Sequence, residues 1–278
     1  MIFPNSDMHA LTPWKEAESL KCERSIKSAE RTLALFEYFS FCQSPQTIGQ
    51  LVRALDIPQP SVTMLVKNLV RLGYIEHNRV ERTYLPTIRI MLLGSWLHRQ
   101  FHLEADLEVH LDRLLRTCDE TVLLGIQNSV YCQYVWAQMP DQPYRMEIQS
   151  GMLRPMTRTA LGRVLLSMKS DLEISLLVRR SNAELAPDLA VTLSDVMQQV
   201  EDVRRLGYAE SNGAMSPGRS VIAVALPTLV GSIPMVVGVG GLGDRIQQKR
   251  EEILEALGLL QAQFGQANQA RMQQLAAA

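Results

Sequence analysis

The sequence predicts an α+β chain built from two domains, and three observations support this. Residues 23–86 contain three stretches with helical spacing and then two short alternating stretches, whereas residues 102–278 mix strand and helix patterns. With 278 residues, the chain is long enough for two domains that each bury a core. Residues 1–101 hold 12 Lys and Arg against 9 Asp and Glu, while residues 102–278 hold 16 against 20. This asymmetry suits an N-terminal part that faces nucleic acid and a C-terminal part with another role.

The first 56 residues predict a tail and two helices. Residues 1–22 carry charges and prolines where a signal peptide needs an apolar run, so we expect a flexible N-terminal tail. A first helix is predicted over residues 25–40, with an apolar stripe of Ile26, Ala29, Leu33, Leu35, Phe36 and Phe39. A second helix is predicted over residues 47–56, where Thr47 is suited to cap the helix start. Its inward face is Ile48, Leu51, Val52 and Leu55.

A third helix is predicted within IPQPSVTMLVKNL, residues 57–69. Pro60 suits the first helical position, because the missing backbone N–H has no partner to lose there. The inward face carries apolar residues at helical spacing, namely Val62, Leu65, Val66 and Leu69. The outward face presents Ser61, Thr63, Met64, Lys67 and Arg71. The pattern alone is compatible with an ordinary solvated face as well as with a binding face.

Two short alternating stretches follow the third helix, on either side of a charged tip at residues 78–82, and predict a β-hairpin. The second and third helices are joined by a very short turn, which is typical of a helix-turn-helix whose second helix fits the DNA major groove. One helix, a helix-turn-helix and a hairpin in this order predict a winged helix-turn-helix.

The chain resembles the IclR-type transcriptional regulators. The stretches that match include SAERTLALFEYFS, TIGQLVRALDIPQPSVTMLVKNLVRLGYIE, LRPMTRTALGRVLLS and PGRSVIAVALPT, in the family's order and spacing. The resemblance implies a DNA-binding domain at residues 23–86, a linker helix at 87–101, and an α/β effector-binding domain with a curved antiparallel sheet at 102–278. It also implies dimers that pair through the N-terminal part and often associate into tetramers.

The resemblance turns the outward face of the third helix into a candidate DNA-binding surface. Gln can pair with adenine, Lys with guanine, and Thr or Met can pack on thymine methyl groups. The family commonly has basic residues where this chain has Gln59 and Met64, which leaves the operator sequence open. At the wing tip, a solvated hairpin and a DNA contact are equally compatible with the arginines. The candidate DNA-binding residues are Thr47, Gln59, Ser61, Thr63, Met64, Lys67, Arg79 and Arg82.

Residues 102–278 predict a mixture of helices and strands that fits an α+β ligand-binding domain. The predicted helices cover residues 103–120, 159–169, 193–207 and 243–264. The predicted strands cover residues 121–127, 130–138, 144–149, 221–226 and 235–239. Residues 220–243 carry no charge and are long enough to span a bilayer, but two prolines and several glycines interrupt them. Two buried strands explain this stretch better, so we expect no membrane partner.

The effector site is predicted at the start of the helix in MTRTALGRV, where free N–H groups favour an anion such as a carboxylate. The resemblance places the ligand against Thr159, Ala160 and Leu161, then Ser211 and Asn212 in a loop, and Val221 on a strand. The family often has an acidic cluster near residue 212 and a Cys at position 221, and this chain has neither. An apolar pocket for a larger or aromatic acid would be completed by Met146, Met152 and Met215. Plain core packing is an equal alternative for these methionines.

Enzymatic sites are weakly supported. Residues 238–243 read GVGGLG, but too little chain follows for the further strand that a dinucleotide site requires. No histidine occurs after His110, which removes Ser/His and Cys/His mechanisms from the larger domain. His98, His102, Asp106 and His110 recur every four residues, although a polar face explains them better than a metal site. Four cysteines form no CxxC pair. We therefore expect no catalytic residues, no metal and no cofactor.

Taken together, the sequence predicts a homo-oligomeric, cytoplasmic transcriptional regulator. It would bind a palindromic double-stranded DNA operator and respond to a small organic effector, either a carboxylate or an aromatic acid. The alternative is a small-molecule binding or catalytic protein whose winged domain serves only for protein contacts.

Overall fold

The computed structural model describes residues 26–101, 105–142, 145, 146, 148, 150–185, 190–213, 217–227 and 233–276. These residues form two compact units, one within residues 11–104 and the other within residues 105–278. The flexible tail expected at residues 1–22 lies outside the described residues. No helix in the part of the chain that the structure describes is both long and apolar enough to cross a bilayer.

The N-terminal unit is a three-helix core followed by a hairpin and a further helix. Its elements are α1 (Lys27–Cys42), α2 (Ile48–Leu55), α3 (Gln59–Arg71), β1 (Ile75–Asn78), β2 (Thr83–Pro86) and α4 (Arg89–Phe101). The core is formed by side chains from α1 to β1, including Leu35, Phe39, Leu51, Val62, Val66 and Ile75. The predicted stripe on α1 is wrong at its first turns, because Ile26 is 70% exposed and Leu33 is 63% exposed.

The turn between α2 and α3 is set by local sequence. Thr47 caps α2 as predicted, since its Oγ1 accepts from the Gln50 backbone N–H at 3.3 Å. The Gln50 Oε1 accepts in return from the Thr47 backbone N–H at 2.8 Å, which completes a capping box. Helix α3 begins at Gln59, so Pro60 is its second residue rather than its first and still needs no intrahelical N–H bond.

The wing is an antiparallel hairpin that is tied to the helices. Strands β1 and β2 pair from Ile75 with Pro86 to Asn78 with Thr83. The backbone of Tyr84 also pairs with Gln46, with N···O distances of 2.9 and 2.8 Å. Gln46 is buried, so the wing starts from a fixed point beside α2.

The C-terminal unit is one six-stranded sheet with helices on both faces. Its strands are β3 (Thr121–Asn128), β4 (Tyr131–Gln138), β5 (Leu153–Pro155), β6 (Tyr208–Asn212), β7 (Arg219–Leu226) and β8 (Met235–Leu242). Its helices are α5 (Ala105–Cys118), α6 (Ala160–Ser167), α7 (Asp171–Glu184), α8 (Leu193–Leu206), α9 (Gly243–Gln248) and α10 (Arg250–Ala276). The strand order is β5-β4-β3-β8-β7-β6, and every pair is antiparallel.

Each face of this sheet has its own apolar core. One face packs against α6, α7 and α8, with Leu161, Ile174 and Val200 among the buried side chains. The opposite face packs against α5, α9 and α10 through residues such as Leu111 and Ile253. The two strands predicted in the uncharged stretch are confirmed as β7 and β8, which lie side by side near the centre of the sheet.

Three predictions for this unit are wrong. Residues 144–149 lie partly outside the described residues, and their described members Arg145, Met146 and Ile148 belong to no strand. The apolar side chains at every second position, Met146 and Ile148, are buried without strand pairing. The Met146 carbonyl accepts from the Thr121 Oγ1 at 3.0 Å. The predicted final helix is divided at Lys249 into α9 and α10.

The third correction concerns residues 208–212, which were expected to include a loop at Ser211 and Asn212. They form the edge strand β6, in which Ser211 pairs with Val221. An edge strand is partly solvated, so it tolerates polar residues. Residues 208–212 therefore lack the apolar pattern from which a strand is predicted. Helix α7 was also missed, although Ser170 and Glu173 form a capping box that announces its start.

Candidate functional site

The outward face of α3 is largely exposed. Met64 is 75% exposed, and Gln59 and Lys67 are exposed as well, while Val62 and Val66 are fully buried on the opposite side. Ser61 and Thr63 are half-buried at the margin between the two faces. Helix α3 contains no acidic residue, so the charges on its face are only positive. Such a face can contact base edges and phosphates together.

Thr47 differs from the other candidate DNA-binding residues, because its hydroxyl already caps α2. It is half-buried, and its Oγ1 lies 2.8 Å from the Gln50 Oε1 in addition to the capping bond. A hydroxyl with two intramolecular partners has little capacity left for a phosphate.

The wing tip presents Arg79 and Arg82 on a closed turn. The Asn78 Oδ1 accepts from the backbone N–H groups of Val80 at 3.0 Å and Glu81 at 3.2 Å. Below the tip, the rings of His77 and Tyr84 stack with centroids 4.5 Å apart and planes 8° apart. Both arginines are exposed, so the tip can reach a ligand outside the domain.

The start of α4 is held against the end of α3 by residues that the sequence reasoning did not single out. The Arg89 Nη1 donates to the Leu72 carbonyl at 2.9 Å, and its guanidinium carbon lies 4.9 Å from the Tyr74 ring centroid. The Thr87 Oγ1 donates to the Gly73 carbonyl at 2.7 Å. The helix that is predicted to link the domains therefore starts from a fixed position at the end of α3.

In the C-terminal unit, the first three candidate effector residues belong to a buried helix start. Thr159 caps α6, and its Oγ1 accepts from the Gly162 N–H at 3.1 Å. Ala160 and Leu161 are fully buried. A Cβ placed on Gly238 would lie 2.7 Å from the Leu161 Cδ1, so Leu161 already fills the space above that strand.

The apolar side chains expected to line an effector pocket also pack on the sheet. A Cβ placed on Gly240 would lie 2.5 Å from the Met146 Cε and 3.0 Å from the Val221 Cγ2. Met152 is half-buried against the same core, and Met215 lies outside the described residues. Leu161, Met146 and Val221 are therefore close neighbours of the sheet glycines Gly238 and Gly240.

A polar pocket of about 270 Å³ lies beside this buried helix start. It brings together the loop before α6, helices α6 and α8, and the edge strand β6. The lining residues are Thr157, Arg158, Arg163, Val191, Gln199, Glu210, Ser211 and Asn212. Of the six candidate effector residues, the pocket includes Ser211 and Asn212 but not Thr159, Ala160, Leu161 or Val221.

Arg163 is the most constrained charge in this pocket, and the sequence reasoning did not name it. Its guanidinium donates to the Glu210 carbonyl at 2.9 Å, to the Gln199 Oε1 at 3.2 Å and to the Thr159 carbonyl at 3.4 Å. Burial lowers the pKa of Arg163 from its usual value. The signal available in the sequence was one arginine within the otherwise apolar helix ALGRVLLS.

The edge strand directs its side chains alternately to the two faces of the sheet. Ser211 pairs with Val221, which packs in the core beneath α6. The Asn212 Oδ1 instead accepts from the Ser220 Oγ at 2.8 Å, and the Glu210 Oε2 lies 3.1 Å from the Arg250 Nε of α10. The side chains of Asn212 and Glu210 are thus engaged on the face opposite to Ser211.

Both units match protein-family models. Residues 97–263 match the C-terminal domain of the bacterial transcriptional regulator IclR, and residues 28–79 match the IclR helix-turn-helix domain. The first match alone covers more than half of the chain. The chain belongs to the IclR family. It is a transcriptional regulator with a helix-turn-helix DNA-binding domain and an IclR effector domain.

Characterised relatives of this IclR-family regulator are distant but cover most of the chain. It is 24% identical to the HTH-type transcriptional regulator KdgR of Escherichia coli K12 over 73% of this chain and 78% of the relative. It is 24% identical to the regulator BhcR of Paracoccus denitrificans over 81% of each chain. These relatives are named as regulators rather than enzymes.

Solved structures show the same fold for the family. An IclR regulator from Alicyclobacillus acidocaldarius has a TM-score of 0.67 at 16% identity and covers 86% of this chain and 99% of its own. The IclR effector domain from Acinetobacter sp. ADP1 has a TM-score of 0.54 at 29% identity and covers 58% of this chain and 94% of its own. The shared fold is an N-terminal helix-turn-helix domain and a C-terminal α/β domain with a curled antiparallel sheet, as predicted.

The GVGGLG stretch of this IclR-family regulator has a packing role. Gly238, Gly240 and Gly241 lie within β8, and Gly243 begins α9. A Cβ on Gly241 would lie 2.3 Å from the Glu120 Oε2, so the strand needs glycine to accommodate that buried carboxylate.

The histidine series and the cysteines were the candidates for metal or nucleophilic chemistry in this regulator. The described residues contain no group of three or more His, Cys, Asp or Glu that could hold a metal. Of the histidine series, His102 lies outside the described residues, and the His110 ring packs edge-on against Phe264. Burial raises the pKa of the Cys118 thiol to about 12 and also raises the pKa of Cys132. Both thiols are therefore poor nucleophiles at neutral pH.

Proposed function

We propose that this regulator binds a palindromic DNA operator through α3 and the wing, and that a small organic acid bound in the C-terminal unit changes this binding. The observation that carries the proposal is the two-sided character of α3. Met64 and Lys67 are exposed on one side, and Val62 and Val66 are fully buried on the other. Gln59, Ser61 and Thr63 would contact bases or nearby phosphates, and Arg79 and Arg82 would contact the flanking backbone.

The palindrome follows from the proposed homo-oligomer. Ile88, just before α4, and Met91, Leu92 and Leu93 within it are exposed, and this surface is more apolar than a solvated connector needs. Burying them against a second copy would place two winged domains on one symmetric site. A regulator of this kind meets its DNA in the cytoplasm, which is the compartment we propose for it.

Selection from a random-oligonucleotide pool with the full chain tests the proposed operator. We expect enrichment of a two-fold symmetric motif with half-sites about one or two helical turns apart. A Met64→Ala chain should select a more relaxed motif, because a side chain next to base edges contributes to sequence preference. Enrichment of no motif would contradict the proposal and would favour a winged domain that binds protein.

A further inference from the structure

We infer that the polar pocket beside the start of α6 binds a small hydroxylated carboxylate, with Arg163 as its cationic contact and Thr157 as a hydroxyl contact. This inference rests on the proposed function, because it names the chemical class of the effector. It differs from the larger or aromatic acid that a pocket completed by the methionines would hold.

The first argument is the charge of Arg163. Its three acceptors, the Thr159 carbonyl, the Gln199 amide oxygen and the Glu210 carbonyl, are all neutral. No carboxylate among the described residues lies within 4.0 Å of this guanidinium. A guanidinium has five N–H donors, so three bonds leave donors for a further acceptor. A partly buried cation whose partners are all neutral favours the binding of an anion.

The second argument is the hydroxyl of Thr157, which belongs to the same pocket wall. Thr157 is only 3% exposed, and its Oγ1 has no hydrogen-bond partner among the described residues. Most buried polar side chains have a partner, so an exception beside a pocket calls for an explanation. A ligand oxygen would supply the missing partner.

The third argument is that Glu210, the acidic residue that lines the pocket, does not repel an anion bound there. The Glu210 carboxylate is engaged by Arg250 of α10 at 3.1 Å, on the sheet face away from Ser211. Arg250 is held in place by a second contact, in which its Nη2 donates to the Tyr208 hydroxyl at 2.5 Å. Arg163 contacts only the backbone carbonyl of Glu210. The charge of Glu210 is thus neutralised locally.

The fourth argument is the size and polarity of the pocket. The pocket has a volume of about 270 Å³, and Val191 is the only apolar residue among the eight that line it. Sites for drug-sized ligands span roughly 300–1,000 Å³, so this pocket suits a smaller metabolite. Val191 alone among these lining residues offers apolar surface to an aromatic ring, because Leu161 and Met146 do not line the pocket. Hydroxyl groups on the ligand would match Ser211 and Gln199.

Calorimetry on the full chain with four probe compounds tests this ligand class. Meso-tartrate carries carboxylates and hydroxyls, succinate lacks the hydroxyls, erythritol lacks the carboxylates, and benzoate is an apolar acid. We expect tartrate to bind most tightly, succinate more weakly, and erythritol and benzoate not detectably. Tightest binding of benzoate, or binding of none of the acids at millimolar concentration, would overturn the inference.

Three variants locate the site. Arg163→Gln should weaken tartrate binding at least about tenfold, because it removes a charge-assisted hydrogen bond. Thr157→Val should weaken tartrate about threefold or more and also raise the thermal unfolding midpoint, because it removes a buried hydroxyl without a partner. Arg205→Gln is the matched control, since Arg205 lies on α8 in an exposed ion pair with Asp202 and does not line the pocket, and both affinity and folding should be unchanged.

The Thr157→Val variant keeps the test decisive even if Arg163→Gln does not fold. An unchanged tartrate affinity together with a lowered unfolding midpoint would show that the hydroxyl has a structural partner, and would overturn the inference. The proposed function is judged separately on the wild-type chain. Operator binding without tartrate binding would overturn only the ligand site, whereas tartrate binding without a selected operator would overturn only the proposed function.

Discussion

A single side chain, Arg89, joins the end of α3 to the start of α4. Its guanidinium bonds the Leu72 carbonyl and lies over the Tyr74 ring. Gly73, between Leu72 and Tyr74 in the chain, has a φ of +79°. A Cβ at that position would lie 3.0 Å from the Arg89 Nη1. Glycine is required there both for the left-handed backbone and for the approach of Arg89.

Replacing Arg89 by alanine should destabilise the winged domain. The change removes a charge-assisted hydrogen bond and a cation–π contact, and we expect a loss of about 1–2 kcal/mol in the free energy of unfolding. Urea denaturation of the full chain measures this loss. The control is Arg71→Ala, since Arg71 donates to the exposed Asn68 on its own helix and should change stability by less than about 0.5 kcal/mol. Equal losses in the two variants would show that the Arg89 contacts contribute nothing specific.

At the scale of elements, the junction of α9 and α10 connects distant parts of the C-terminal unit. Arg245 bonds the buried Glu120 at 2.6 Å, and Lys249 donates to the Cys118 carbonyl at the end of α5 at 2.7 Å. Arg250 bonds Glu210 on the edge strand of the pocket. One short segment of chain therefore contacts both the helix that follows the linker and the strand that borders the candidate ligand site.

The Glu120–Arg245 pair should show strong coupling in a double-mutant cycle. Glu120 is almost fully buried while Arg245 is about a third exposed, so Glu120→Ala would leave its cationic partners without a buried counter-charge. We expect a loss of about 2–3 kcal/mol for Glu120→Ala, less than for a fully buried pair because of that exposure. The double variant with Arg245→Ala should lose less than the sum of the single losses, and unfolding in urea measures all three. Additive losses would contradict the coupling.

Helix α4 carries the prediction on assembly. Met91, Leu92 and Leu93 are each more than half exposed, which leaves an apolar surface available to a second copy. We expect light scattering to show a dimer or tetramer for the wild-type chain and a shift toward monomer for Leu92→Glu, because a buried unpaired carboxylate opposes association. Leu176→Glu on α7 is the control, since Leu176 is 58% exposed in the other unit against 56% for Leu92. A wild-type monomer at micromolar concentration would refute this prediction.

For the whole molecule, DNA affinity must come from local charge, because the net charge of the chain is −1. Two winged domains that touch roughly 6–10 phosphates would give a log–log salt dependence of about −5 to −9. Lys67→Ala should reduce the size of this slope by about 2, since each of two copies loses one phosphate contact worth about 0.9. Fluorescence anisotropy at several salt concentrations measures it, with Lys169→Ala in the C-terminal unit as the control. An unchanged slope for Lys67→Ala would place Lys67 away from the phosphates.

The sequence by itself determined the elements whose signals are local. The Thr47 cap, the buried face of α3 at Val62, Val66 and Leu69, and the strands β7 and β8 all follow from neighbouring residues. The family resemblance added the curled antiparallel sheet, which the comparisons confirm. Where a pattern records burial alone, as at Met146 and Ile148, it could not distinguish a strand from a buried irregular segment.

Only the tertiary structure decided the strand order and the composition of the pocket. Arg163 meets Gln199 and Glu210, which are 36 and 47 residues away in the chain, and Thr157 joins them from the loop before α6. No local pattern encodes such an encounter, because it depends on how α6 and α8 pack on the edge of the sheet. The same packing buries Leu161 against Gly238, a contact between residues 77 positions apart that no local pattern encodes.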